Sequence, residues 1–410
     1  MSFTLRGATL IDGTGSDPLR GHAVTIEGDR IARVGTVERG GSEVDLDGLT
    51  LLPGLIDAHT HLGSVPATRA VAGATPAAEI AAQIFRNCEL GLDAGFTTCR
   101  ETGGVDWGIV RAIDQGLVRG PRILSSGPAI AQDGGHGTLM APFSDCVCPL
   151  DMPGLVNGKA VCDSPDAVRL AARPAFRRGA TQLKLMATGG VVSLTDELTD
   201  TQLTVDEMRA AVAEADARNT YVTIHAHNCG GIRNGILAGV RCVEHGTYLD
   251  EETAVLMASH GVALVPTFTV VDLMPGRWRD WGLPELVVSR LEGVEDAMAS
   301  ALMLARALGV DVGSGSDLLG LEQGRRGREL VIRARLEDPM RAIVSATSAN
   351  ARILGQGHAI GTLEPGKLAD LIAIEGDPLA DPELFDLSDR VVLVIKAGRV
   401  VKDTGRLVAT

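Results

Sequence analysis

Both ends of the chain alternate apolar and polar residues with the period of two that β-strands show. Near the N-terminus, β-branched runs are separated by Gly-Asp and Asp-Gly turns, as in the segment HAVTIEGDRIARVG, and this pattern predicts antiparallel hairpins. The C-terminal segment repeats the pattern, with a Gly turn in KAGRVV between two β-branched runs. Neither end has enough strands for a core of its own. We therefore expect residues 1–53 and 356–410 to pair into one small β-sandwich domain.

Residues 54–355 instead alternate short apolar runs with Ala-rich segments of helical period. The apolar runs predict eight strands, in the segments GLIDAHTH, FTTCRET, RILSSGP, TQLKLMATGG, YVTIHAHN, RCVEHGT, ALVPTF and DVGSGSD. Helices are predicted between them, at 76–94, 105–117, 165–178, 204–217, 230–238, 250–259, 285–308 and 339–354. Such repeated alternation is typical of a parallel barrel. The predicted fold class is therefore α/β, a (β/α)₈ TIM barrel with a small β-sandwich domain built from both termini.

Composition and charge narrow the class of partner. The 410 residues are 45% hydrophobic and carry a formal net charge of −14, with a pI of about 5.1. An acidic surface repels phosphate backbones and anionic lipid, so we expect neither nucleic acid nor a membrane as partner. The sequence shows no secretory leader, no apolar run of the ~20 residues that a membrane span needs, and no finger-like spacing of its seven cysteines. These features predict a cytoplasmic protein, whose barrel helices could also form a homo-oligomer.

Residue types that bind metals fall at the ends of the predicted strands, where catalytic residues of such barrels lie. The first strand ends in His59-Thr60-His61, and the i, i+2 spacing points both imidazoles to one face. The fourth strand carries Lys184 between two leucines, and a lysine there is costly unless it is paired or chemically altered. The fifth, sixth and eighth strands end at His225, His245 and Asp317. Each residue alone is compatible with a structural role, but the set in strand order predicts a metal site.

Five segments at these strand ends, PGLIDAHTH, KLMATGG, HAH, EHGT and GSD, resemble the motifs of the amidohydrolase superfamily. The likeness covers nearly the whole chain. Lys184 and the run Gly134-Gly135-His136-Gly137 are similar to the imidazolonepropionase-related branch, which contains Xaa-Pro and Xaa-basic dipeptidases and ochratoxin-type amidases. The resemblance implies a small-molecule substrate with an amide bond, in a dipeptide or an N-acyl amino acid.

The resemblance also implies two divalent metal ions and assigns their ligands. His59, His61 and Asp317 would hold one ion, and His225 and His245 would hold the other. Lys184, carboxylated on its amine, would bridge both ions as an anionic oxygen ligand. Mixed imidazole and carboxylate ligands suit zinc, with manganese or cobalt as alternatives. An unmodified Lys184 that pairs with Asp317 stays open as the alternative to the carboxylated form.

A mechanism follows from this resemblance as a hypothesis. The metals would supply a hydroxide for attack on the substrate carbonyl, while Asp317 would accept its proton and pass it to the leaving amine. His136 would donate a hydrogen bond to the developing oxyanion, the alternative being a histidine that only stabilises its Gly-rich loop.

Substrate contacts are the least constrained part of the predicted site. Arg277 and Arg279 lie in the segment MPGRWRDWGLP, which we predict to be a long loop after the seventh strand. The candidate contacts are His227, Tyr248, Arg277 and Arg279. For His227 the alternative is that it supports a metal ligand. For Tyr248 and the two arginines the alternative is a solvated loop position.

Two other interpretations of function stay open at this level. In the first, the same site acts on a cyclic amide, an ester or lactone, a carbamate or a heterocycle, because fold and metals do not select the bond. In the second, the chain is a non-catalytic scaffold relative whose metal site has decayed. A decayed site should have lost a ligand or the acid–base residue, whereas all six positions are filled. The sequence therefore favours an enzyme, a metal-dependent hydrolase acting on carbon–nitrogen bonds.

Overall fold

The computed structural model describes residues 2–36, 42–65, 75–137 and 151–405. Its strands, numbered β1 to β18 in chain order, are Ser2–Arg6, Thr9–Leu10, Ala23–Glu27, Arg30–Gly35, Glu43–Asp45, Leu49–Pro53, Leu55–Thr60, Phe96–Glu101, Arg122–Ser125, Ile130–Ala131, Ala160–Val161, Leu183–Met186, Val222–Ala226, Cys242–His245, Ala263–Val265, Leu371–Glu375, Val391–Lys396 and Arg399–Asp403. Its helices, numbered α1 to α12, are Ala77–Asp93, Trp107–Asp114, Pro165–Arg177, Val205–Asp216, Cys229–Ala238, Glu251–His260, Phe268–Arg277, Leu286–Arg290, Val294–Ala307, Arg328–Leu336, Pro339–Val344 and Asn350–Ile353.

Strands from the two ends of the chain share one sheet. Its order is β18-β17-β16-β6-β2, and β16 runs antiparallel to β6 with Ala373 opposite Leu51. A second sheet, β4-β3-β1-β5, packs its apolar side chains into the same cluster. The predicted hairpins β3–β4 and β17–β18 are present. The two sheets are mixed rather than antiparallel throughout, because β1 pairs with β5, and β2 with β6, in parallel.

The central region consists of parallel strands connected by helices, which confirms the predicted α/β class. One sheet has the order β7-β8-β9, and the other has the order β11-β10-β12-β13-β14-β15. The backbone amide of Thr181, just before β12, donates to the carbonyl of Ser125 in β9 at 2.8 Å and so links the two sheets. Parallel strands buried on both faces need near-continuous apolar sequence, as in LKLM and VTIHA.

The eighth predicted strand, DVGSGSD, is not a regular strand. Val312 forms only an isolated parallel bridge with Leu264, although the amide of Ala58 in β7 donates to Ser314 O at 3.0 Å. Two of its backbone groups bond to side chains: Asn350 Oδ1 accepts from Ser314 N, and Arg333 Nη1 donates to Gly313 O. The chain is extended here without being paired regularly on both sides.

Four helical regions differ from the prediction. The segment after the seventh strand, predicted as a loop, contains the helix α7, and α10 was not predicted. The predicted helix 285–308 is divided into α8 and α9 around Gly293, whose φ of 74° is left-handed. A π-helical turn, Ser345–Ala349, separates α11 from α12.

Two further expectations from the sequence concern the cysteines and membrane-spanning segments. Within the described ranges Cys88, Cys99, Cys162, Cys229 and Cys242 are free thiols, and Cys146 and Cys148 lie outside those ranges. No helix of the described ranges combines the length and the apolar character that crossing a bilayer requires.

Candidate active site

The six predicted ligands come from the same edge of the central strands. His59 lies in β7 and His61 directly follows it, while Lys184, His225 and His245 lie in β12, β13 and β14. Asp317 follows the irregular eighth segment, and its amide donates to His59 O at 2.9 Å. Both His245 and Asp317 have positive φ angles, 70° and 52°. Non-glycine residues in this strained region are concentrated at functional sites, because the surrounding contacts must hold them there.

The imidazoles of β7 and the carboxylate of Asp317 lie within hydrogen-bond or ion-pair distance. His59 Nε2 is 3.5 Å and His61 Nε2 is 3.3 Å from Asp317 Oδ1, and the two Nε2 atoms are 3.3 Å apart. His245 Nδ1 lies 3.9 Å from Asp317 Oδ2. Three imidazoles thus surround one carboxylate.

Ligand atoms fall into two groups that could each hold a metal ion. One group is His59, His245 and Asp317, and the other is His225, His227 and His245; within each, one ligand atom per residue lies within 4.8 Å of the others. The groups share His245, so they are adjacent. His227, which was predicted as a substrate contact, is therefore also placed as a candidate ligand.

Most of these imidazoles are oriented by a partner on Nδ1. His59 Nδ1 donates to Glu244 Oε2 at 2.8 Å, and His61 Nδ1 donates to Gly103 O at 2.6 Å. His227 Nδ1 lies 2.7 Å from Thr247 Oγ1. A partner on one ring nitrogen fixes the tautomer and directs the other nitrogen, here Nε2, at the centre of the site. In His225 the roles are reversed, because its Nε2 lies 3.2 Å from Gly189 O.

Lys184 is the buried polar group without a hydrogen bond in this cluster. Its side chain is 1% exposed, and its Nζ atom has no hydrogen-bond partner among the described residues. Burial lowers the pKa of Lys184 to about 8, although the charges of Glu244 and Asp317 oppose that shift. A buried ammonium without hydrogen bonds is costly. A chemical modification that makes this amine anionic would remove the cost, and the histidine cluster around it fits a metal centre.

Asp317 is held ionised by its neighbours. Burial alone would raise its pKa, but the charges of His59, His61 and Lys184, with a hydrogen bond from His61, outweigh burial and lower the pKa to about 2. At neutral pH the group is therefore a carboxylate. It can accept a proton or bind a cation.

His136 reaches the cluster from the loop that follows β10. Its ring stacks on His225 with the centroids 4.2 Å apart, and its Nδ1 lies 2.7 Å from Ser193 Oγ. Burial lowers the pKa of His136 well below its ordinary value, so the imidazole is neutral. The close approach depends on Gly190, because a Cβ atom there would lie 2.3 Å from His136 Cε1. The two Gly-rich motifs of the sequence therefore meet at this ring.

The other predicted substrate contacts lie further out. The Tyr248 side chain is 41% exposed, while its amide donates to His227 O at 2.8 Å. Arg277 ends α7 and pairs with Asp280 at 3.4 Å and Glu322 at 3.1 Å. Arg279 stacks on the Trp278 ring at 4.2 Å. The contacts of both arginines are thus with Asp280, Glu322 and Trp278, and their role as substrate contacts stays a prediction.

Two residues near the cluster were missed by the sequence reasoning. Glu101 ends β8 and accepts hydrogen bonds from Leu62 N and Thr60 Oγ1, and burial raises its pKa to about 7. Its strand-end position was the available signal. Lys159 follows a range that the sequence pattern left unassigned, and nothing in its local sequence marks it.

Lys159 lies beside the cluster. A Cβ atom at Gly137 would be 2.9 Å from Lys159 Cε, and one at Gly103 would be 3.8 Å from its Nζ. The charges of Asp317 and Glu101 act on it, although burial lowers its pKa to about 8. Across the described ranges it has no carboxylate at ion-pair distance.

Comparison with known proteins identifies the family. The chain matches the profile described as Amidohydrolase family over residues 50–401. It belongs to the amidohydrolase family. Ochratoxinase of Aspergillus niger is 32% identical over 97% of this chain and 86% of its own length.

Solved structures agree with this family. A prolidase complexed with N-methylphosphonate-L-proline is 36% identical with a TM-score of 0.92, covering 98% of this chain and 100% of that chain. A Xaa-Pro dipeptidase with bound methionine in its active site is 30% identical with a TM-score of 0.86, covering 98% and 100%.

The predicted family and the predicted enzyme class are confirmed. The chain is a hydrolase acting on carbon–nitrogen bonds, and its histidine cluster is able to bind metal. The α/β architecture with an additional β-domain agrees with that of the family.

Proposed function

We propose that this protein is a two-metal amidohydrolase that cleaves the amide bond of a dipeptide or an N-acyl amino acid. The observation that carries the proposal is the pair of ligand groups that meet at His245 beside Lys184. The charge of Lys184 acts on His59, His225 and His245, so its amine lies within electrostatic reach of both groups.

In this proposal His59, His61 and Asp317 would hold one ion, and His225 and His245 would hold the other. Lys184, as a carbamate, would supply an anionic oxygen ligand to the metal centre. The alternative of an unmodified Lys184 paired with Asp317 receives no support from the geometry, because no hydrogen bond from the described residues reaches Nζ. Imidazole and carboxylate donors favour zinc, with manganese or cobalt as alternatives.

The bound ions would supply a water of lowered pKa and polarise the substrate carbonyl. The chain's own residues do the rest. Asp317 is ionised at neutral pH, accepts a proton at its carboxylate and returns it to the leaving nitrogen. His136 is neutral, and Ser193 occupies its Nδ1. If Ser193 donates its hydroxyl hydrogen bond to Nδ1, then Nε2 carries the ring hydrogen and donates a hydrogen bond to the oxyanion.

Substrate recognition is proposed to rest on charge. Dipeptides and N-acyl amino acids carry a carboxylate beside the scissile amide, and Lys159 supplies a cation beside the cluster. The ligands bound to the prolidase and the Xaa-Pro dipeptidase are an amino-acid derivative and an amino acid, which supports this substrate class. His227 and Tyr248 stay predictions as neighbouring contacts. Because Arg277 and Arg279 have surface partners, we assign the carboxylate to Lys159.

We further propose that the central strands close into the eight-stranded barrel of residues 54–355. Three links support closure: Thr181 to Ser125 between the sheets, Gly313 N to Leu264 O, and Ala58 N to Ser314 O. The β-domain would then comprise 1–53 and 356–410. A cytoplasmic location and a homo-oligomeric state stay predictions.

The proposal is tested by assaying metal-loaded protein against a library of dipeptides and N-acyl amino acids. Asp317→Asn keeps the size of the side chain and removes the base. We expect cleavage by the wild type and a loss of ~10³-fold in kcat for the variant. A wild type that binds two metals yet cleaves nothing would reject the amide assignment and direct testing to lactones, carbamates and heterocycles. Failure to bind metal would favour the non-catalytic scaffold.

A further inference from the structure

A surface cavity of about 530 Å³ lies away from the histidine cluster. Its wall includes residues that immediately precede three central strands: Thr181 and Gln182 before β12, Thr220 and Tyr221 before β13, and Arg241 before β14. The metal-ligand candidates lie in or after these parallel strands. The cavity is therefore at the opposite, N-terminal end of the strands from the active site.

Four arginines line this cavity, namely Arg173, Arg177, Arg218 and Arg241. Glu214 neutralises part of this charge, because it accepts from Arg173 at 2.8 Å and from Arg218 at 3.0 Å. Within the described ranges, Arg177 and Arg241 have no carboxylate at ion-pair distance. The cavity wall itself contains no acidic residue. In a chain with a net charge of −14, this local excess of positive charge is not a consequence of overall composition.

Neighbouring side chains hold three of the guanidinium groups in place. The Arg218 guanidinium lies 4.7 Å from the centre of the Phe176 ring, and that of Arg241 lies 5.4 Å from the centre of the Tyr221 ring. Arg173 donates to Glu214 Oε1 through both Nε and Nη2. Guanidinium groups restrained in this way lose less conformational entropy when they bind a ligand.

We propose that this cavity binds a small anion of the phosphate type that carries at least two negative charges. A guanidinium presents paired N–H donors that match phosphate oxygens, and such hydrogen bonds are charge-assisted. The volume lies within the ~300–1,000 Å³ typical of small-molecule sites. A ligand with two phosphate groups would neutralise the positive charge of Arg177 and Arg241, which Glu214 does not pair. The proposal is independent of the reaction at the metal-binding end.

The test is isothermal titration of the metal-loaded protein with fructose 1,6-bisphosphate at low ionic strength, with inorganic phosphate as the single-phosphate probe. The double variant Arg177→Gln/Arg241→Gln removes the two unpaired charges and nearly preserves side-chain length. Each lost charge-assisted hydrogen bond should weaken binding about tenfold, so we expect a ~100-fold weaker Kd for the double variant. Higher salt should weaken the wild type as well.

The matched control is Arg33→Gln/Arg399→Gln, which removes two exposed charges from the β-domain. We expect this control to bind the bisphosphate like the wild type, and both double variants to keep the hydrolytic rate. Arg177→Lys/Arg241→Lys, which keeps the charge, should bind with intermediate affinity and serves if the Gln variant does not fold. No saturable binding by the wild type, or equal loss in the control, overturns the proposal. Binding unchanged in the Gln variant also overturns it.

Discussion

Replacing Glu244 with glutamine tests whether a buried ion pair beneath the active site holds the metal ligand His59. Glu244 is fully buried in β14. It accepts from Arg100 Nη2 at 2.5 Å and from His59 Nδ1 at 2.8 Å, and it also accepts from Thr223 Oγ1. Burial would raise its pKa, but the charges of Arg100, Lys184 and His59 hold the pKa well below its usual range.

The expected cost follows from the charge that the substitution leaves behind. Glutamine removes the anion but not Arg100, whose guanidinium is fully buried and bound to this carboxylate. Removing one partner of a buried ion pair costs about 3–5 kcal/mol, because the other charge is left uncompensated. Glu244 also orients His59, so metal affinity should fall about 10–100-fold.

Glu329→Gln is the matched control. Glu329 is also buried and has Arg333 nearby, but burial raises its pKa to about 8, so at pH 7 it is largely a neutral acid. Its Oε2 accepts from Thr269 N and Thr269 Oγ1, which a glutamine oxygen can replace. We therefore expect this variant to be at least as stable as the wild type at pH 7, because glutamine needs no proton from solution to stay neutral.

Urea denaturation of chelator-treated protein at pH 7, followed by far-UV circular dichroism, measures the loss of stability through the transition midpoint and slope. Titration with zinc, followed by dialysis and metal analysis, measures the loss of metal affinity. A Glu244→Gln variant within 1 kcal/mol of the wild type would refute the ion-pair argument. Equal losses in both variants would show that any buried glutamate is costly to replace, whatever its charge.

Four further outcomes follow from the structure. Between pH 4.5 and about 8 the native state keeps a proton on Glu329 that the unfolded state releases. The wild type should therefore lose stability relative to Glu329→Gln as the pH rises through this window, by at most roughly 5 kcal/mol. Urea midpoints of both proteins at pH 5 and pH 8 measure this change. His136→Gln should lower kcat about 10²-fold with little change in KM, and equal loss in both would assign His136 to substrate binding. Lys159→Met should raise KM about tenfold for a dipeptide but not for its C-terminal amide, and equal effects on both would reject the carboxylate contact. Chelation should abolish hydrolysis, and zinc with bicarbonate should restore more activity than zinc alone if Lys184 is carboxylated; no bicarbonate effect would favour the unmodified lysine.

Much of the site could be predicted because its information is local. The i, i+2 spacing of His59 and His61 places both rings on one face of β7 whatever surrounds that strand. Lys184 between Leu183 and Leu185 predicts burial from its neighbours alone, and the structure buries it. The hairpin β3–β4 could likewise be predicted, because its turn residues and its two alternating strand segments lie next to one another in the sequence.

Other features were decided by contacts between distant segments. The eighth segment has the composition of a strand, yet Asn350 and Arg333 from the following helices take two of its backbone groups, Ser314 N and Gly313 O. The helix α7 forms where the local sequence indicated a loop, because its apolar residues, including Phe268 and Met274, pack into the main core. No pattern within either segment contains these partners.

The pairing of buried charges also depends on contacts between distant segments. Arg100 and Glu244 are 144 positions apart, and only the neighbouring packing of their strands makes one buried pair of them. Lys159 comes beside the active site because Gly103 and Gly137 leave room for its side chain. Residue type and spacing along the chain determined which groups can do chemistry. Desolvation and proximity, which arise only when distant strands pack together, decided their charge state and their partners.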